Sequence, residues 1–172
     1  MKNSRYTALS SNTRPNKNLV DFITNNLIDT SKTILDWGAG KGRHSNYLRE
    51  LGYKVWSYDP YNGEDTLDGY NKVSNNLPNE SYDLVFSSYV LNVIPKSQLN
   101  KVIKEIESFG NDSSIIIHKV REDIDLIKKA AIEKDYTVKG RKGSIQRLVL
   151  REDLLDYQRS KKNKLYFRKL KK

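Results

Sequence analysis

The chain has 172 residues, 37% hydrophobic and 30% charged, which suits one domain with a real core and is cramped for two. It carries 31 basic against 21 acidic residues, a net charge of +10, and no cysteine. That excludes disulfides and cysteine-based zinc sites and permits a reducing compartment. No stretch approaches the roughly 18 apolar residues that span a bilayer, and Met1–Ser10 has no signal-peptide core, so a soluble, cytoplasmic protein without membrane contact is expected.

Residues 1–14 are polar and read as an irregular N-terminal segment before a core over about 15–150 of a single domain. Leu19, Val20, Phe22, Ile23, Leu27 and Ile28 recur at helical spacing, which predicts a helix over about 16–28. Thr33-Ile34-Leu35-Asp36-Trp37 reads as a short buried strand running into Gly38-Ala39-Gly40-Lys41-Gly42. A helix then follows to about residue 51, with Gly52 ending it. Tyr53–Tyr58 alternates as a second strand, closed by Asp59 and Pro60. A weak strand near Tyr70–Val73 and a clear one at Tyr82–Ser87 precede a helix capped by Ser97 and reaching about Phe109. Ser114–His118 reads as a fully buried strand and about 122–134 as a helix. Strands near Tyr136–Lys139 and Ser144–Leu150 flank the basic loop Gly140-Arg141-Lys142-Gly143 and should pair antiparallel. From Arg151 onward the sequence reads as an increasingly basic helical tail. Strands alternating with helices give an α/β fold with a mostly parallel sheet.

Asp36-Trp37-Gly38-Ala39-Gly40-Lys41-Gly42 lies between a strand and a helix, where glycines let the backbone turn tightly and approach a ligand. Asp59 closes the next strand, where an acid can accept both ribose hydroxyls of a nucleoside. The dinucleotide fingerprint would need a glycine where Arg43 stands, and no Gly-Lys-Ser/Thr follows for a P-loop. An acid just before the glycines instead suits a cationic nucleoside without phosphate.

Leu35-Asp36-Trp37-Gly38-Ala39-Gly40-Lys41-Gly42 resembles motif I of the class I S-adenosylmethionine (SAM)-dependent methyltransferases. Asp59 matches that superfamily's ribose-binding acid, and Tyr82-Asp83-Leu84-Val85-Phe86-Ser87-Ser88 is similar to its fourth-strand motif. The resemblance implies a Rossmann-like, seven-stranded, mostly parallel sheet with an antiparallel last strand, and SAM as cofactor. Gly52-Tyr53, Tyr58-Asp59-Pro60-Tyr61 and Tyr89-Val90-Leu91-Asn92-Val93-Ile94 resemble small methyltransferases of phage and mobile-element type, including those beside DNA phosphorothioation genes. Ser87-Ser88-Tyr89-Val90 departs from the Asn/Asp-Pro-Pro-Tyr/Phe of the DNA amino-methyltransferases, and no inserted target-recognition domain is present. Sequence-specific recognition would then need a protein partner or a minimal recognition surface.

Methyl transfer from a sulfonium needs positioning, and a base only where the nucleophile holds a proton. Asp36 is the candidate acid near the methionine part and Asp59 on the ribose, with Gly38, Ala39, Gly40 and Gly42 forming the cofactor turn. Pro60 and Tyr61 are candidates for the adenine slot, with Tyr61 set against a surface role, and Asn76 or Leu77, before Pro78, falls where the superfamily contacts adenine. Ser87, Ser88 and Tyr89 stand at the mouth of the fourth strand facing the transferred methyl, with Tyr89 as a stacking surface or a core residue. Asn92 is either a substrate ligand or a local cap. His118 is the candidate general base, set against a hydrogen-bonded strand-end role. His44 is expected to be structural, touching the cofactor carboxylate region with Arg43. Arg14 is a candidate partner of that carboxylate, set against a surface role. Two histidines without a carboxylate cluster offer no metal site.

Eight of the 31 basic residues follow Asp156, with no acid among them. Such a tail would attract nucleic acid by counterion release, with Tyr166 and Phe167 stacking on bases and Arg141, Lys142 and Arg147 adding phosphate contacts, set against a solvated or frayed helical end. The leading expectation is methylation of nucleic acid, DNA in preference to RNA. It competes with a small-molecule or protein acceptor, with a non-catalytic SAM-binding module, and with SAM breakdown.

Overall fold

The computed structural model describes residues 14–121, 137–139 and 145–171. The helix expected over about 122–134, the Gly140–Gly143 loop and residues 1–13 lie outside the described residues. Helix α1 covers Lys17–Asn26, with the Asn16 side chain capping it by accepting from Leu19 N. Strand β1 (Thr33–Trp37) leads through the glycine turn into α2 (Arg43–Glu50), and β2 is Lys54–Tyr58. The weak third strand is shorter and later than expected, Val73–Ser74 (β3). Strand β4 (Tyr82–Ser88) precedes α3 (Lys96–Ser108). Pro95, at φ −58°, sets the first turn of α3, so Ser97 lies inside the helix and is not its cap. β5 spans Gly110–Lys119, longer than the Ser114–His118 core that its apolar run marks.

Seven strands form one sheet in the order β3-β2-β1-β4-β5-β9-β8, parallel from β3 to β5. β9 (Leu165–Lys169) runs antiparallel to both β5 and β8 (Gln158–Ser160). This is the Rossmann-like sheet with an antiparallel last strand that the methyltransferase motifs imply. Its last strands come from an unexpected place. β6 (Thr137–Lys139) and β7 (Ile145–Arg147) do pair antiparallel, but as a separate ribbon. The sheet is completed by the basic C-terminal residues, which are a hairpin and not a helical tail. β5 is a central strand rich in isoleucine, and leaving one edge unpaired would strand its backbone groups. That non-local demand outweighs the helix propensity of the lysines and arginines.

The sheet separates two apolar layers. Leu35, Trp37, Val85 and Ile116 pack with Leu99, Ile103 and Ile106 of α3, while Ile34, Val55, Leu84 and Ile117 pack with Leu19, Ile23 and Leu48 of α1 and α2. Among the described residues no helix is long and apolar enough to cross a membrane. The strand order reverses between β1 and β4, so a crevice opens beyond their carboxyl ends, where α/β sheets bind ligands.

Candidate functional site

The turn from β1 to α2 is held by its own backbone. Gly38 N and Ala39 N both donate to Tyr58 O, at 2.7 and 2.9 Å, and Gly42 N donates to Ala39 O at 2.9 Å. Gly38, Gly40 and Gly42 all have positive φ, at 80°, 60° and 72°. A Cβ on Gly38 would lie 2.4 Å from Val90 Cγ2, so this residue lets the turn pass close under the loop after β4. Gly42 serves packing: its Cβ would meet Val73 of β3 at 2.9 Å.

These elements enclose an open cleft of about 890 Å³, counting its solvent-filled mouth. The glycine turn, Trp37, Lys41, Arg43 and His44 form one side, and Asp59 to Asn62 a second. Ser88 to Val90 with Val93 and Ile94 form the third. Asp59 is 7% exposed and organises two of these walls. Its Oδ1 accepts from Tyr61 N, Asn62 N and Asn62 Nδ2, while Oδ2 accepts only from Gly40 N, at 2.9 Å. A carboxylate oxygen has room for two donors, so Oδ2 retains one site for a ligand hydroxyl.

Of the residues singled out in the sequence, the fold brings Gly38, Ala39, Gly40, Asp59, Pro60, Tyr61, Ser88 and Tyr89 to this cleft, together with Arg43 and His44. It does not bring Asp36, Gly42, Ser87, Asn76, His118 or Arg14 to the cleft wall. Strand alternation explains the parity. Leu35 and Trp37 face the α3 layer, so Asp36 points the other way, where Ser45 Oγ donates to its Oδ2 at 2.6 Å. Its Oδ1 is buried without a partner, and burial pushes the carboxyl up to about 7. Asn76 holds its own loop, donating to Asp65 and to Thr66 O. Arg14 is exposed ahead of α1.

Ser87 and His118 sit side by side in the β4–β5 register, one residue before the cleft-lining Ser88. The Tyr157 hydroxyl donates to Glu107 Oε1 at 2.8 Å, so it accepts from His118 Nε2–H at 3.1 Å. Nδ1 then accepts from Ser87 Oγ at 2.8 Å. Both ring nitrogens are engaged, the side chain is fully buried, and burial pulls it down to about 3. His118 is thus a neutral residue of the strand-end core, not a base facing the cleft, and Ser87 is its partner. His44 is also neutral, lowered to about 3 by burial and by Arg43, and accepts from Asn16 N through Nε2.

Tyr89 has φ 61°, which a non-glycine residue rarely adopts. Its N donates to Lys119 O at 2.7 Å and its hydroxyl accepts from Asn16 Nδ2 at 3.3 Å. The ring is 36% exposed at the cleft mouth. Asn92 is a clip: its Nδ2 donates to Arg147 O and its Oδ1 accepts from Arg121 N. Arg147 is 1% exposed and paired with Asp153, so it faces no phosphate. Tyr166 is buried and Phe167 packs on Phe22, so neither offers a stacking face. The cleft residues not singled out from the sequence are Trp37, Lys41, Asn62, Val90, Val93 and Ile94. Trp37 and Lys41 stand inside the glycine motif and Val90, Val93 and Ile94 in an apolar run, which were the signals available for them. No group of three or more acids and histidines that could hold a metal exists among the described residues.

The methyltransferase domain family matches residues 10–158. No curated protein matches the chain. Among solved structures, an S-adenosylmethionine-dependent methyltransferase from Clostridium acetobutylicum is similar at 16% identity and a TM-score of 0.65, over 92% of this chain and 93% of that one. The Burkholderia thailandensis 1,6-didemethyltoxoflavin-N1-methyltransferase, solved with 1,6-didemethyltoxoflavin and S-adenosylhomocysteine, is similar at 14% identity and a TM-score of 0.64, over 91% and 78%. At such identities the likeness is one of fold.

Proposed function

Since the chain belongs to the methyltransferase domain family and is a SAM-dependent methyltransferase, we propose that its acceptor is a base of a nucleic acid, DNA in preference to RNA. SAM supplies a methyl already activated on a sulfonium, so the protein's work is to hold donor and acceptor in line. The residues present fit the donor. The Gly38–Gly40 turn, with both glycines at positive φ, brings backbone to the cleft wall, and the remaining acceptor site on Asp59 Oδ2 suits a ribose hydroxyl. Arg43 and the first turn of α2 suit the methionine carboxylate.

The observation that carries the acceptor reading is Tyr89. A strained backbone and a hydrogen bond to Asn16 hold its ring at the mouth of the cleft, with Lys41 on the opposite rim. A flat base stacked on such a ring gains about 1–3 kcal/mol. Ser88, whose buried hydroxyl has no partner, stands where the amino-methyltransferases carry their amine clamp. The resemblance to phage and mobile-element methyltransferases favours DNA, and a protein partner would supply target recognition. A small-molecule acceptor is the second reading, favoured by the apolar wall of Val90, Val93 and Ile94.

Methyl-labelled SAM, incubated with the purified chain and separate samples of unmodified DNA, RNA, protein and metabolite extract, tests both. Label in DNA, lost on Tyr89→Ala, is the expected result. Label in metabolites or protein alone would replace the reading with the second. Truncation after Asp156, which a free tail would have tolerated, cannot serve, because it removes β8 and β9 from the sheet.

A further inference from the structure

β9 is antiparallel to β5, with His118 opposite Tyr166, so Leu165 lies at the carboxyl end of β5. The turn of residues 161–164, between β8 and β9, therefore stands on the same sheet edge as the glycine loop. Lys161, Lys162 and Lys164 are exposed there, and no acid among the described residues pairs with them. A solvated lysine run needs no scaffold, but this one has one. Lys119, 5% exposed, donates from Nζ to Asn163 O at 3.0 Å and to Lys164 O. Asn163 is bonded to Ser160 Oγ and donates from Nδ2 to Asn18 O at the start of α1. Lys164 is held at φ 52°. Lys119 thus braces from beneath a turn that presents three surface ammoniums, and positive charge gathered on one rim attracts an anion.

Across the cleft, Lys41 is exposed on the glycine loop. The strands β1, β4, β5 and β9 are adjacent, so three spacings put the two basic positions about 14 Å apart. A mononucleotide carries its phosphate beside its own base and does not span that distance. A strand of several nucleotides does.

We propose that the Lys161–Lys164 turn is a phosphate-tracking surface that holds the backbone of an oligonucleotide whose target base enters the cleft beside Tyr89. This rests on the nucleic-acid reading above and adds the surface and the length requirement. Lys161, Lys162 and Lys164 take no part in donor binding, so the surface is separable from the cleft.

The test is fluorescence anisotropy of the full chain with labelled single-stranded oligonucleotides of graded length, across a salt series. Lys161→Glu/Lys162→Glu/Lys164→Glu is compared with Lys54→Glu/Lys169→Glu/Lys171→Glu, an equal charge change at exposed positions away from the cleft edge. The neutral Lys161→Gln/Lys162→Gln/Lys164→Gln guards against misfolding, which thermal melts and S-adenosylhomocysteine binding also monitor. The turn variants should lose at least tenfold in affinity near 0.1 M salt. Their slope of log K against log salt should shrink by about 2, near 0.7 for each lost phosphate contact. Mononucleotide binding should not change, and the control variant should keep the wild-type slope. Equal losses in the turn and control variants would overturn the surface while leaving a nucleic-acid acceptor standing. Wild-type chain that binds no oligonucleotide yet methylates a metabolite would overturn both. Turn-dependent binding to vesicles of anionic lipid, without oligonucleotide binding, would overturn the proposal in favour of a membrane surface.

Discussion

Replacing Asp36 by asparagine should remove part of the pH dependence of stability. The carboxyl is 1% exposed, takes one hydrogen bond from Ser45, leaves Oδ1 without a partner, and is pushed up to about 7 by burial. In the unfolded chain it titrates near 3.9. The folded chain therefore binds the extra proton between these values. The stability this contributes is fully present below the unfolded pKa and is lost as pH rises through 7. From pH 5 to pH 8 that loss is roughly 2–3 kcal/mol. Asparagine has the shape of the protonated acid and does not titrate. The stability difference between Asp36→Asn and wild type should therefore move in the variant's favour by roughly 2–3 kcal/mol over that range, about 5–10 °C in Tm. Urea unfolding of the ligand-free chain at pH 5, 6, 7 and 8, followed by the fluorescence of Trp37 and Trp56, measures it. A difference that stays constant across pH would mean that Asp36 is already ionised at pH 5 and that the burial argument fails.

The two histidines act in the opposite sense. His44 and His118 are both lowered to about 3, so each favours the neutral folded form above pH 6.5 and loses that contribution as pH falls. Each should take away roughly 2 kcal/mol by pH 5, which melts of His44→Gln and His118→Gln across pH would show as flatter profiles. Asp59→Asn should weaken S-adenosylhomocysteine binding at least tenfold by calorimetry. It should also lower Tm, because one acceptor that organises Gly40 and residues 61–62 becomes a donor. His118→Ala should cost about 3–5 kcal/mol through its cavity and the unpaired hydroxyls of Ser87 and Tyr157, with turnover per folded molecule unchanged. Selective loss of kcat at full stability would return His118 to the chemistry. Gly38→Ala should lose donor binding and about 1–3 kcal/mol, since its φ of 80° and the Val90 contact both penalise a Cβ; Gly38→Ala/Val90→Ala should recover only part of the stability.

What was legible in the sequence follows from how local each constraint is. The glycine turn and Asp59 were readable because positive φ and a strand-end acid leave their mark on neighbouring residues. The parity of β1 and β4 was not. Both strands are buried on both faces, so no alternation marks a cleft side; Trp37 and Ser88, the last residues of β1 and β4, reach the cleft from opposite faces of the sheet, while Asp36 and Ser87, one residue earlier, do not. The C-terminus failed for a different reason: its fate is decided by the open edge of β5, which no window along the chain contains. The hairpin also divides charges that are contiguous in sequence. Arg168 is neutralised by Glu107 and Asp156, Lys169 lies toward the far end of the sheet, and Lys161, Lys162 and Lys164 reach the cleft edge. A net charge of +10 therefore says little by itself about the acceptor. What bears on a polyanion is that three of the eight C-terminal cations are held beside a cleft with an aromatic mouth, with no acid paired to them among the described residues. Substitution within that turn, rather than deletion of the tail, separates charge from fold.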